Sequence, residues 1–236
     1  LLYELEQITM TEVFIDGTKI EAAANKYTFV WKKAVTKHQA RHLRKTALLV
    51  GDIIERHGLK PLWQKQVKKK HVKKLLKQLK AEAEKMELEF VSGRGHRKQQ
   101  LQKDIEDLEN ALKKLKEYET RLHKCGTRNS YSKTDHDATF MHMKDDHMMN
   151  GQLKPAYNVQ HAVNSGFIVA AGIFPNPTDV LTLKPFVEQM ENDLNMRFER
   201  IVADAGYESE ENLVYLRDKG IKAYIKPANY EQIGTK

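Results

Sequence analysis

Arg200–Lys226 reads RIVADAGYESEENLVYLRDKGIKAYIK, and its punctuation decides the fold class. RIVADA is a short apolar run that reads as a buried strand ending at Asp204 and Gly206. Ser209 caps a helix that runs through Lys219, and Gly220 stops it. Lys222–Lys226 then returns as another strand. Strand, helix and strand in one short segment mark an α/β protein.

Working outward, AYNVQHAV after Pro155 and FIVAAGIF after Gly166 read as a β-hairpin, which Pro175-Asn176-Pro177 ends. Thr178 or Asp179 caps the helix that carries Leu183, Phe186, Val187 and Met190. Near the start, Thr11–Ile20 is a β-branched strand with Val13 and Ile15 on one face and Asp16 at or near its end. Arg128–Gly151 reads as a polar, turn-rich loop. The expected order is strand, long helical insert, hairpin, helix, strand, helix, strand, which makes a mixed five-stranded sheet with flanking helices.

The insert has its own periodicity. Val35, Leu43, Ala47, Val50 and Ile54 mark a helix that stops near Gly58 and Pro61. Val72, Leu76, Leu79, Ala83, Met86 and Phe90 then recur at spacings of 4-3-4-3-4. After Ser92–Gly95, Leu101, Ile105, Leu108, Leu112 and Leu115 repeat the pattern. Such seams predict a coiled-coil pair, folded most simply as an antiparallel hairpin over 64–124.

Composition narrows the partners. The chain has 236 residues, 40% apolar and 31% charged, with a net charge of +8. Residues 31–125 hold 26 Lys/Arg against 12 Asp/Glu, so one basic block sits in an otherwise mildly acidic chain. A polyanion suits such a block through counterion release, and so does a plain solvated surface. No apolar run is long enough for a membrane span. The single cysteine, Cys125, excludes an internal disulfide framework and fits a reducing cytoplasm. Leu1 opens on ordinary apolar sequence, so the chain is expected to be cut from a longer one.

Two aspartates share a setting. Asp16 and Asp204 each end an apolar run and are followed within two residues by Gly17 and Gly206. Strand ends in α/β sheets collect ligands, and paired carboxylates suit hard cations such as Mg²⁺. An everyday Asp-Gly turn would look the same at either position alone. His136, His142 and His147 have spacings that fit no zinc pattern and read as incidental loop residues.

Four blocks then carry a resemblance: VFIDGTKIEA with NKYTFVW, SKTDHDATFMHMKDDHMMNGQLKPAYNVQ, FPNPTDVLTLKPF and IVADAGYESEENLVYL. In this order they resemble the DDE transposases of bacterial insertion sequences, in the subgroup whose ribonuclease-H-like domain is interrupted by a helical insert. The resemblance implies a catalytic domain begun over 1–30, a basic helical insert over 31–125 with its hairpin, and the rest of the catalytic domain over 126–236. It implies metal-dependent DNA strand cleavage and strand transfer, with two divalent ions, Mg²⁺ or Mn²⁺. Asp16 and Asp204 take the family's first two acidic positions as catalytic, metal-holding residues, and Asp137 that of an active-site neighbour. The family's third acid, a glutamate, has no counterpart. Glu208, Glu210 and Glu211 come too early and Glu231 stands in a loop after Pro227, so the chain alone is expected to be inactive. The partners implied are mobile-element ends and target DNA, a homodimer assembled on DNA and no membrane, in the cytoplasm at the nucleoid. Lys68, Lys69, Lys73 and Lys74 are the candidate DNA contacts. A catalytically inactive DNA-binding or coiled-coil remnant is the rival reading, and a free-standing ribonuclease-H-type hydrolase a third.

Overall fold

The computed structural model describes residues 2–9, 11–61, 66–93, 97–143 and 151–230. In chain order its elements are β1 (Glu12–Glu21), β2 (Phe29–Trp31), α1 (Lys32–Arg56), α2 (Lys69–Lys85), α3 (Gln100–Cys125), β3 (Ser130–Ser132), β4 (Thr139–His142), β5 (Leu153–Asn164), β6 (Phe167–Phe174), α4 (Leu183–Leu194), β7 (Arg200–Ala203), α5 (Glu210–Asp218) and β8 (Lys222–Ile225). Single 3₁₀ turns occupy Asp179–Leu181 and Ala205–Tyr207. Two compact units result, Leu1–Phe29 with Ser130–Lys236, and Val30–Asn129.

The first unit is a mixed α/β structure. Its sheet runs β5-β1-β7-β8, with β4 and β6 on the outer edge of β5. β1 lies antiparallel to β5 and parallel to β7, and β8 continues parallel to β7. Alternation along β1 buries Val13 and Ile15 while Phe14 stays exposed, the period-2 signature of a strand with one covered face. α4 supplies Leu183, Phe186, Val187 and Met190, all at 0% exposure, as a stripe at i, i+3, i+4 and i+7 against that face. Each such burial contributes about 1.5–3 kcal/mol.

Three sequence expectations change here. Among the described residues the sheet has six strands, because β4 pairs Thr139–His142 with Leu153–Ala156 inside the segment that reads as a loop. Thr139, Phe140 and Met141 are all buried, so a short β-branched and aromatic run outweighs its polar surroundings. β1 also continues five residues past Asp16, which therefore lies within the strand. Finally, α4 starts at Leu183 behind Thr182, because Asp179–Leu181 forms a separate turn whose carbonyl at Asp179 accepts from the Thr182 amide and hydroxyl.

The second unit is helical. α2 and α3 run antiparallel, since Lys69 pairs with Glu119 while Lys80, one helix-half later, pairs with Glu109. α1 shares their core through Val50, Ile53 and Ile54, which pack with Val72, Leu75, Leu79, Ile105 and Leu108, so among the described residues the unit has three helices. The buried seam of α2 passes through Leu75, with Leu76 only partly covered. Met86 and Phe90 lie beyond the helix and are exposed at 61% and 51%. α2 stops because Glu87 takes a left-handed conformation and the Leu88 amide turns back to the Ala83 carbonyl, as in a Schellman ending. Of the expected turn at Ser92–Gly95, Arg94 and Gly95 lie outside the described residues.

One polar cluster is sealed into this unit. Asp104 is 1% exposed and accepts from Arg56, from His57 Nε2 at 2.9 Å and from Gln100 at 2.9 Å. Burial alone would raise its carboxyl, but the hydrogen bonds from Arg56, His57 and Gln100 reverse that and hold it below the usual range. A carboxyl depressed in the folded state stabilises fully above its unfolded value near 4 and loses that contribution as pH falls through the folded value. Asp104→Asn should cost the helical unit about 3 kcal/mol in urea unfolding followed by circular dichroism. That is the low end for breaking a buried pair, because the Arg56 side chain is 41% exposed and stays hydrated. The same variant should flatten the loss of stability between about pH 4 and 2.

Candidate active site

The last register pair of the parallel β1–β7 ladder is Ile15 with Ala203. An aspartate follows each member of that pair, Asp16 within β1 and Asp204 just past the end of β7. Asp16 is an exposed position within β1, and Asp204 is the exposed N-cap of the turn that follows β7. Each carboxylate accepts from a nearby backbone amide. The Gly17 amide donates to Asp16 Oδ1 at 2.8 Å, and the Gly206 amide donates to Asp204 Oδ1 at 2.9 Å, capping the turn Ala205–Tyr207.

Close by is a buried polar network; buried hydrogen bonding at Asn158 and Gln160 is expected from the sequence, and its links to Tyr207 and Asp179 are not. Tyr207 is 0% exposed and its hydroxyl donates to Gln160 Oε1. Gln160 Nε2 donates to Asn158 Oδ1 at 2.9 Å and to Asp179 Oδ1 at 3.0 Å, and Asn158 Nδ2 donates to the same Asp179 Oδ1 at 2.8 Å. Burial first, then the negative charges of Asp179, Asp16 and Asp204, push the Tyr207 hydroxyl far above its ordinary value. Tyr207 thus stays protonated as a donor, and three carboxylates act on one hydroxyl.

Glycine is required where this network meets the strand. A Cβ on Gly17 would stand 2.4 Å from Gln160 Nε2 and 2.8 Å from Asp179 Oδ1. A Cβ on Gly206 would stand 3.0 Å from Asp204 Oδ1 and 3.3 Å from Asp179 Oδ2. At Gly17 the approach of Gln160 and Asp179 leaves no room for a side chain, and at Gly206 the fit is tight.

The other predicted residues fall elsewhere. Asp137 sits on an exposed turn where its amide donates to Asp135 Oδ1 at 3.1 Å. Asp135 also accepts from the Tyr157 hydroxyl at 2.7 Å, which with the amides of Asp137 and Ala138 holds its carboxyl below the usual range. His136 and His142 are exposed, and His147 and Glu231 lie outside the described residues. Among the described residues no group of three or more His, Cys, Asp or Glu side chains is placed to hold a metal ion. Asp16 and Asp204 offer an all-oxygen donor pair, which fits a hard divalent cation that keeps several waters.

The four candidate lysines divide in the helical unit. Lys69 and Lys73 line a groove of about 610 Å³ between α2 and α3, together with Lys113, Lys116 and His123. Lys69 is already paired with Glu119. Lys68 and Lys74 are exposed outside that lining, Lys68 as the residue before α2. Lys113 and Lys116 went unmarked in the sequence, although their i, i+3 spacing on α3 gives them one face.

Residues 128–235 match the family described as Transposase DDE domain. The match covers Asp204 and Asp179 and begins after Asp16 and, but for Arg128 and Asn129, after the helical unit. It supports the resemblance of the chain to a DDE transposase of insertion-sequence type, and the mixed sheet is compatible with the ribonuclease-H-like domain of that class. No curated protein matches the chain. DDE transposase domains act on DNA and generally use divalent metal ions. Among the described residues no helix is long and apolar enough to cross a membrane.

Gly17→Ala should destabilise the first unit by about 1–3 kcal/mol through overpacking against Gln160 and Asp179. Gly51→Ala is the control, because a Cβ there meets nothing within 4 Å in the middle of α1. It should stabilise by about 0.5–1 kcal/mol. Urea melts of the two variants beside the parent check both signs.

Proposed function

We propose that the chain is a DDE-type catalytic domain for metal-dependent DNA strand cleavage and strand transfer at the ends of a mobile element, with Asp16 and Asp204 as its metal-holding residues, and that without a counterpart of the family's third acid it is inactive by itself. The observation that carries this reading is the pairing of β1 with β7, which sets the two aspartates one step beyond Ile15 and Ala203. In this reading the catalytic domain is ribonuclease-H-like, begins over 1–30, resumes over 126–236, and is interrupted by a basic helical insert over 31–125.

Two divalent ions, Mg²⁺ or Mn²⁺, would supply Lewis-acid activation of the attacking oxygen and charge neutralisation at the scissile phosphate. The protein's part is to present carboxylates at fixed positions. Asp16 and Asp204 are both exposed, and a backbone amide fixes the orientation of each. A hydrated cation can therefore reach the pair from solvent. Tyr207, held neutral, adds no competing charge below them. Asp137 is the family's neighbouring acid by its place in the chain.

The insert is proposed to grip the DNA backbone through Lys68, Lys69, Lys73 and Lys74. Two copies would come together on DNA, since joining two ends requires two active sites. Lys69 and Lys73 have the best support, because Lys113 and Lys116 widen the same basic groove.

Asp16→Asn and Asp204→Asn should each abolish the rise in thermal midpoint that Mg²⁺ gives the parent chain, with unchanged circular dichroism. A rise that survives in both variants refutes the assignment. Changing the four lysines to Gln should flatten the log–log salt dependence of duplex affinity by about 0.9 for every phosphate they no longer neutralise. Fluorescence anisotropy across a salt series reads that slope, and an unchanged slope removes the lysines from the DNA path.

A further inference from the structure

We propose that Asp179 is the positioning residue of the Asp16–Asp204 pair, holding the stretch of β1 at Asp16 and the turn after Asp204 through its hydrogen bonds to Asn158 and Gln160. The proposal deepens the reading above and rests on Asp16 and Asp204 being the residues that hold the ions.

Asp179 belongs to neither strand that carries the pair, yet it meets both. Its Oδ1 takes two amide donors from β5, Asn158 Nδ2 at 2.8 Å and Gln160 Nε2 at 3.0 Å. Those contacts place Oδ1 2.8 Å from the point where a Gly17 Cβ would stand, directly after Asp16. Oδ2 lies 3.3 Å from the corresponding point on Gly206, two residues after Asp204. The amides of these same glycines orient the two carboxylates. A shift of Asp179 therefore moves the floor under both orienting amides.

Two further ties make the arrangement rigid. Gln160 carries the link onward, because its Oε1 accepts from the Tyr207 hydroxyl at the end of the Asp204 turn. Asn212, 4% exposed, donates to the Tyr207 carbonyl and to the carbonyl of Val180, the residue after Asp179, at 2.9 Å each. The turn bearing Asp179 and the turn bearing Asp204 are thus stapled side by side. Asp179 Oδ1 needs only to accept hydrogen bonds, so an asparagine carbonyl in its place meets the same demand.

The test uses the chain with Mn²⁺ alone as the probe, and reads the ion concentration that half-saturates the rise in thermal midpoint. Removing an outer-shell partner of metal-holding residues typically weakens ion affinity about 10–100-fold. Asp179→Ala should raise the half-saturating Mn²⁺ about tenfold, and Asp179→Asn, which keeps the acceptor, should stay within about threefold of the parent. Gln160→Met, which cuts the same link, should match Asp179→Ala, and the double variant should be no weaker than either alone. If Asp179→Ala fails to fold, Gln160→Met and Asp179→Asn carry the comparison. A parent response that Asp16→Asn abolishes but Gln160→Met or Asp179→Ala leaves within twofold overturns the positioning role alone. Asp179→Asn as weak as Gln160→Met also overturns it, because the charge and not the hydrogen bonds would then matter. A parent with no Mn²⁺ response overturns the ion-holding reading of Asp16 and Asp204, and the positioning role with it.

Discussion

Four residues of β1 lie parallel to four of β7, with partners such as Ile15 and Ala203 drawn from opposite ends of the chain. Everything of chemical interest depends on that short ladder. The entropy of closing a loop grows only with the logarithm of its length, so the helical unit Val30–Asn129 between the strands adds little to the cost. What holds the ladder is the apolar layer beneath it, where Val13, Ile15 and Ile201 meet the stripe of α4. β5 then braces β1 from the other side over eight register pairs.

The ladder gathers negative charge at one point, and the surroundings are arranged to tolerate it. Asp16 and Asp204 accept from backbone amides and are exposed to solvent. Asp179, half-buried, relies on two side-chain amides instead. Tyr207 absorbs the remaining field by keeping its proton. In the helical unit the opposite solution applies, because Asp104 is sealed away and neutralised by direct contact with Arg56 and His57.

What the sequence disclosed follows from which signals are local. Asp16 and Asp204 were legible because an apolar run, an acid and a glycine sit within a few residues of one another. The α5 cap at Ser209, whose hydroxyl accepts from the Asn212 amide, was legible for the same reason. Asp179 was not, because after a proline pair and a threonine an aspartate reads as a helix cap, and its real partners lie about twenty residues back on β5. The signal that could have found it is the burial of Asn158 and Gln160 at 0% exposure on a strand face that ought to be apolar. β4 was hidden by its polar neighbours. The α2 seam was misregistered by one residue because Leu75 and Leu76 are adjacent, and only the third helix decides which of them turns inward.

The inward face of β5 has a consequence for folding. Alternate residues Ala156, Asn158, Gln160, Ala162 and Asn164 are all buried there, and the amide of Asn164 bonds Thr9 and Glu12 at the far end. A slip of one residue would replace them with Tyr157, Val159, His161 and Val163, a set no less apolar. Hydrophobicity alone would accept that mistake. Three carboxamides with fixed partners would not, since each would leave buried donors and acceptors unanswered. The polar residues of this strand therefore act as a proofreading key for strand pairing, selecting one alignment from two that greasy contacts could not tell apart.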